Sequence, residues 1–170
     1  MGDVLTDDGL ALMARVNAFL GLEAGLLDRR EWHGWLGLFA PEGRYWAPVW
    51  NGDEEMTNDP SQQLSLIYAD TRELQARIFR IEGADSYASL PLPHTSHLVT
   101  CTAAHRKGQG TVVVQANWLL HAFWRTKGAI MRGGQYRYEL QETEDGFQIL
   151  QKTVFMHDDR VVGPLDIYSL

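Results

Sequence analysis

Four residues of this chain could carry out acid–base chemistry if the fold brought them together: Asp28, Tyr45, His97 and His121. A carboxylate that orients an imidazole makes a general base, and a tyrosine hydroxyl can donate a proton to a reacting oxygen. Each residue also has an ordinary structural role, as a helix cap, a core aromatic or a hydrogen-bonded histidine. We expect the structural roles and no catalytic residue, and we keep a pocket acid–base site as the alternative.

The histidines and the cysteine do not form a metal-binding motif. The six histidines show neither HxH nor HxxxH spacing, which gives no support for an iron site. Because Cys101 is the only cysteine, the chain cannot supply the two Cys and two His of a Rieske centre, and it has no internal disulfide. Nucleotide-binding and serine-hydrolase motifs are absent as well. We therefore expect no metal or cofactor site in this chain.

Length, charge and hydropathy narrow the class of protein. A chain of 170 residues favours a single domain spanning residues 1–170. A formal net charge of −7 without a basic run argues against nucleic-acid binding. The acidic N-terminus lacks the basic segment of a signal peptide, and we read no apolar run as long enough to span a bilayer. These features predict a cytoplasmic protein that binds no membrane. The six tryptophans fit a core, a pocket or an interface.

The first half of the chain has the 3.6-residue period of helices. A first helix is predicted over residues 9–27, capped by Thr6–Asp8, with an apolar stripe of Leu10, Met13, Leu20, Ala24 and Leu27. A second helix is predicted over 31–39, followed by a turn at 41–43 and a strand over 45–49. The pair Asp70 and Glu73 fits a capping box, which opens a third helix over 71–81.

From His97 onward the pattern alternates with the period of a strand. Residues 111–125 place Val112, Val114, Ala116, Trp118, Leu120, Ala122 and Trp124 on one apolar face. The other face mixes apolar and polar residues, which suits a protein contact: Val113, Gln115, Asn117, Leu119, His121, Phe123 and Arg125. Further strands over 130–142 and 147–156, joined by short turns, must run antiparallel. The tail, 158–170, is predicted to dock on its own or a neighbouring subunit.

These elements predict the fold class and one buried contact. A sheet with one apolar face needs cover, and only the early helices can provide it. We predict an α+β fold in which a cone-shaped, strongly curved antiparallel or mixed sheet packs on about three helices from the N-terminal half. Glu23 lies on the largely buried first helix and needs a partner, for which Arg44 or Arg72 is the candidate.

Several segments together resemble the small (β) subunit of Rieske-type aromatic-ring-hydroxylating dioxygenases. They are Glu23–Asp28, Trp35–Phe39, Tyr45–Pro48, Ile67–Asp70 with Arg72, Leu74 and Arg77, His97–Val99, Gln115–Trp118, and Asp145–Ile149 with Lys152–Val154. The chain departs from the usual family pattern at Pro93–Ser96, where arginines are common, and at Cys101, where asparagine is usual. The resemblance spans about residues 10–165 and implies the nuclear transport factor-like, or cystatin-like, cone fold.

The resemblance also implies a function. A β subunit supports an iron-bearing α subunit that cis-dihydroxylates an aromatic compound in aromatic catabolism, within an α3β3 hexamer or as a β trimer alone. The Rieske [2Fe-2S] cluster and the mononuclear iron then lie in the α subunit, and electrons come from NAD(P)H through separate carriers. The alternatives are a stand-alone dehydratase or isomerase that uses Asp28, His97 or Tyr45, and a small-ligand-binding domain of the same fold.

Overall fold

A computed structural model describes residues 6–83, 90–160 and 165–170. The helices are α1 (Asp7–Asp28), α2 (Trp32–Leu36) and α3 (Thr71–Glu82), and Ile167–Ser169 form a short 3-10 helix. The strands are β1 (Phe39–Pro48), β2 (Trp50–Asn51), β3 (Glu55–Met56), β4 (Ser65–Asp70), β5 (His94–Gly108), β6 (Thr111–Trp124), β7 (Gly128–Thr143) and β8 (Gly146–Met156). Residues 84–96, whose two prolines predict a loop, and the predicted tail over 158–170 fall partly outside the described residues.

One six-stranded sheet carries the fold, in the order β4-β1-β8-β7-β6-β5. Strands β5 to β8 form an antiparallel meander, as the alternating second half of the sequence predicted. Strand β1 pairs parallel with β8 and antiparallel with β4, so the sheet is mixed. Strands β2 and β3 form a separate hairpin that overlaps the polar segment 51–61, whose turn-forming residues predict a surface loop. The predicted α+β class, with three helices on a mixed sheet, is confirmed.

Helix α1 packs along β5, the last strand of the sheet. The Thr6 hydroxyl oxygen accepts a hydrogen bond from the Gly9 amide at 3.1 Å, as an N-cap should. The buried face includes Leu12, Val16 and Leu20. Leu10, predicted to belong to this face, is 52% exposed. That prediction was wrong because the buried stripe passes through Leu12, two positions further along the helix.

By length and composition alone, α1 could cross a membrane, because an 18-residue window within its 22 residues has a mean hydropathy of 1.5. The sequence had been read as having no apolar run of that length. The helix instead has the surroundings of a core helix, because it packs on β5 and forms an ion pair in the interior through Glu23. A helix that is apolar on most sides is expected where a small domain buries it against a sheet.

The segment between α2 and β1 differs from the prediction. Helix α2 ends at Leu36, and Phe39 begins β1 instead of completing the helix. The predicted turn at Pro41–Gly43 lies inside β1, where the register against β8 shifts between Phe39 and Arg44. A Cβ at Gly43 would lie 2.8 Å from the carbonyl oxygen of Ile149, so the close approach of the two strands requires glycine. The turn-like sequence is thus an irregular part of a strand.

The core lies between the helices and the inner face of the sheet. The seven predicted inner-face residues of β6 are all buried, from Val112 to Trp124. Val113, which was predicted to lie on the mixed face, is also buried at 6% exposure. In the tail, Ile167, Tyr168 and Leu170 are buried, and the Tyr168 ring lies 6.3 Å from that of Trp32. The same core therefore receives residues from both ends of the described chain.

Candidate functional site

A buried ion pair lies at the centre of the inner sheet face. Helix α1 directs Glu23 towards the sheet, where the Lys152 ammonium lies 2.8 Å from its Oε1 atom. The indole of Trp35 donates to the same oxygen at 3.1 Å, and the Tyr138 hydroxyl donates to Oε2 at 2.8 Å. Lys152 and Glu23 are 1% and 2% exposed. The carboxylate therefore has the charged and hydrogen-bonding partners that a buried acid requires.

Neither arginine predicted to pair with Glu23 does so. Arg44 lies 3.8 Å from Asp70 and is half-buried, and Arg72 lies on the exposed side of α3. Lys152 takes this place because the ladder aligns it with Tyr138 on β7, whose side chain faces the interior. One feature of the sequence indicated that Lys152 is buried. Residues two apart on a strand face the same side of the sheet, and Lys152 stands two positions before Val154, which is buried.

Three tyrosine rings surround the ammonium of Lys152. Its Nζ atom lies 4.1 Å from the ring centre of Tyr136, 5.5 Å from that of Tyr138 and 5.8 Å from that of Tyr45. Ring faces attract a cation that has lost its water. Burial lowers the pKa of Lys152, and Glu23 opposes that change by stabilising the charged form. Burial, and next Glu23, raise the pKa of Tyr45 and of Tyr138 well above the usual value, so these hydroxyls keep their protons.

A second polar contact joins the end of α1 to β5. Asp28 Oδ2 accepts a hydrogen bond from the His97 amide at 3.0 Å, and Oδ1 lies 2.6 Å from His97 Nδ1. Burial raises the pKa of Asp28, but the hydrogen bonds from His97 outweigh it, and the net pKa is lowered. Three turns earlier, Asn17 Oδ1 accepts from the Cys101 amide at 3.0 Å. Side chains of α1 thus satisfy backbone donors along the outer edge of the sheet, where an unpaired strand would otherwise be exposed.

The four residues with candidate acid–base chemistry do not form one site. Asp28 and His97 are in contact, and Tyr45 belongs to the rings around Lys152. His121 lies on the opposite, outer face of the sheet and is exposed. The His97 side chain is 1% exposed and Tyr45 is 0% exposed. Although His97 Nε2 and the Tyr45 hydroxyl have no hydrogen-bond partner, a substrate cannot reach them without local opening.

The donor atoms of the chain do not fit the metal centres considered from the sequence. Within residues 6–83, 90–160 and 165–170, no group of three or more His, Cys, Asp or Glu side chains could hold a metal ion. Cys101 is a buried free thiol, and burial raises its pKa. A single thiol in the core cannot ligate a Rieske cluster, which takes two.

The outer face of the sheet carries an apolar patch, which we name the sheet-face patch: Leu98, Leu119, His121, Phe123 and Met131. Leu98 lies opposite Leu119 on β5 and β6, and His121 lies opposite Met131 on β6 and β7. Leu98 and Met131 are 59% and 63% exposed. Adjacent exposed apolar side chains on neighbouring strands are typical of a protein contact. Three of these five residues belong to the mixed face that the sequence suggested as an interface.

The chain is similar to known proteins over most of its length. Residues 22–162 match the family model described as "Ring hydroxylating beta subunit". The chain is 31% identical over 157 residues to the β subunit of benzoate 1,2-dioxygenase from Acinetobacter baylyi, covering 92% of each. It is 36% identical to the β subunit of toluate 1,2-dioxygenase from Pseudomonas putida, covering 91% of this chain and 96% of that one. The crystal structure of the benzoate 1,2-dioxygenase β subunit from Burkholderia mallei superposes with a TM-score of 0.76 at 28% identity, covering 93% and 97%.

Proposed function

Because this chain belongs to the family of ring-hydroxylating dioxygenase β subunits, we propose that its role in such an enzyme is structural and that it contributes no catalytic residue. This role is supported by the contacts that the charged side chains make inside the protein. Glu23 and Lys152 neutralise each other, and Asp28 is tied to His97 of β5. Acidic and basic groups committed to such contacts in a closed core stabilise a fold and are poorly placed to meet a substrate.

We further propose that the partner is the large α subunit of an aromatic-ring-hydroxylating dioxygenase. In that complex the α subunit holds the Rieske [2Fe-2S] cluster and the mononuclear iron, and NAD(P)H supplies electrons through separate carriers. The expected assembly is α3β3, or a β trimer when this chain is expressed alone. Its location is the cytoplasm, and residues 1–170 act as one domain with the tail docked on it.

The sheet-face patch supports self-association. It has no acidic residue and no lysine, and contacts between identical subunits tend to exclude charge from their centre. Two of the relatives are named for benzoate and toluate. These two aromatic acids are therefore the first substrates to test with the assembled enzyme.

Co-expression with the large subunit of a ring-hydroxylating dioxygenase from the same organism tests the proposal. We expect the two chains to co-purify as a hetero-oligomer, with iron and acid-labile sulfide in the large subunit and benzoate- or toluate-dependent dihydrodiol formation. A lone monomer that binds no large subunit would overturn the proposal and would favour the dehydratase, isomerase or ligand-binding alternative.

A further inference from the structure

The edge of the sheet opposite to β5 carries a second surface of different chemistry. Strand β4 and helix α3 border an open groove of about 860 Å³, which we name the α3 groove. Two aromatic side chains that line it are unusually exposed, Phe79 at 70% and Tyr68 at 44%. A phenylalanine that is 70% exposed gains little from burial in the fold, so its position is better explained by a partner.

The α3 groove is basic, although the whole chain is acidic. Arg72, Arg77 and Arg80 line it, and Glu73 is the one acidic residue of the lining. The Glu73 carboxylate is already engaged, because it accepts the Asp70 amide in the capping box of α3 at 2.8 Å. Arg77 lies 3.4 Å from Asp166. Among the described residues, Arg72 and Arg80 have no acidic group within 4.0 Å.

A neighbouring contact extends the same surface. The guanidinium of Arg44 lies 5.9 Å from the ring centre of Tyr68, in the range of a cation–π contact. The groove therefore combines exposed rings with guanidinium groups, of which those of Arg72 and Arg80 have no acidic group within 4.0 Å among the described residues. Arginine and aromatic residues are the types that most often anchor a protein contact. In a chain with a net charge of −7, such a local excess of positive charge selects an acidic partner.

We propose that the α3 groove docks an acidic segment of the large subunit, one that also carries an apolar or aromatic side chain to cover Phe79. This inference rests on the proposed function. A second copy of the chain is the other acidic body available. The mainly apolar sheet-face patch suits a contact between copies better, because an interface between identical subunits is typically the more apolar one. The two surfaces therefore serve two different partners.

The test compares two double variants that make the same change in net charge. Arg72→Glu with Arg80→Glu alters the groove. Lys107→Glu with Lys127→Glu alters the exposed end of β5, where Lys107 lies 3.6 Å from Glu139, and the exposed β6–β7 turn, both away from the groove. The binding of both variants to the same purified large subunit is measured at low and at physiological salt. We expect the association rate constant of the groove variant to fall by about tenfold or more. We also expect this rate constant to depend less on salt concentration than that of the wild type. The turn variant should associate at the wild-type rate.

Phe79→Ser supplies a second measurement that does not change the charge. Because the side chain is exposed, the isolated chain should keep its circular dichroism spectrum and its self-association, while its complex with the large subunit dissociates faster. If the groove variant and Phe79→Ser both bind with wild-type kinetics, the inference is wrong. Loss of self-association in either variant would assign the groove to a second copy and would also overturn it. If the wild-type chain binds no large subunit, the proposed function itself fails.

Discussion

The ammonium nitrogen of Lys152 lies 2.8 Å from Oε1 of Glu23, and neither side chain is more than 2% exposed. The pair joins α1 to β8, elements that are 129 residues apart at these positions. A buried ion pair adds little stability relative to apolar residues of the same size, but loss of one partner leaves an uncompensated charge in the core. Removal of one partner should therefore lower the stability of the protein far more than removal of both.

Lys152→Met should lower the free energy of unfolding by about 3–5 kcal/mol, because the Glu23 carboxylate would lose its counter-ion. Urea denaturation measures the change. Lys127→Met, in an exposed turn, is the matched control and should change stability by no more than about 0.5 kcal/mol. Glu23→Gln combined with Lys152→Met removes both charges and keeps an acceptor for Trp35, so it should recover most of the loss. Equal effects of the two single lysine variants would contradict the prediction.

Local sequence signals predicted the elements whose structure depends on near neighbours. The Thr6 cap, the Asp70–Glu73 capping box and the alternation of β6 each depend on residues a few positions apart, and each is present. The strand through Pro41–Gly43 depends on parallel pairing with β8, which lies more than 100 residues further along the chain. No local pattern carries that information, so the segment resembled a turn.

The partner of Glu23 was missed for the same reason. Burial of an acidic residue on α1 could be read from the helix, and the need for a cation followed from it. Which cation meets it depends on the register of β8 against β7, which places Lys152 opposite Tyr138. The resemblance identified the family correctly because it compares short sequence segments in their order along the chain. Such a comparison does not depend on how the strands pair. It could not reveal the rings around Lys152.

Asp28 should make the stability of the protein depend on acidic pH. Hydrogen bonds from His97 hold its folded-state pKa below the ordinary value of about 3.9. The unfolded state therefore binds the proton more readily, so the contribution is complete above that value and is lost as the pH falls through the lower folded-state pKa. Unfolding followed from pH 6 down to pH 3 should show the gap between wild type and Asp28→Asn narrowing. Asp145→Asn, in the exposed β7–β8 turn, is the control, and its unfolding free energy should change with pH in the same way as that of the wild type.

Asp28→Ala and His97→Ala should separate a structural role from a catalytic one. Each removes one side of the contact between α1 and β5, and we expect a loss of about 1–3 kcal/mol in unfolding free energy. If both residues have the structural role proposed above, turnover per iron of the assembled dioxygenase should not change. Size-exclusion chromatography and iron content establish that assembly is intact. A fall in turnover with intact assembly and iron would favour the acid–base alternative for the interior.

The sheet-face patch should control self-association. Leu98→Glu and Met131→Glu each place a charge at a side chain that is about 60% exposed, so the isolated fold should tolerate both. If the patch is the contact between copies, burying that charge should weaken self-association about tenfold or more, as sedimentation velocity across a dilution series would show. Leu64→Glu is the control, because Leu64 is 80% exposed and lies beside β4, at the other edge of the sheet. If both patch variants dissociate at the same protein concentration as the wild type, the contact between copies lies elsewhere.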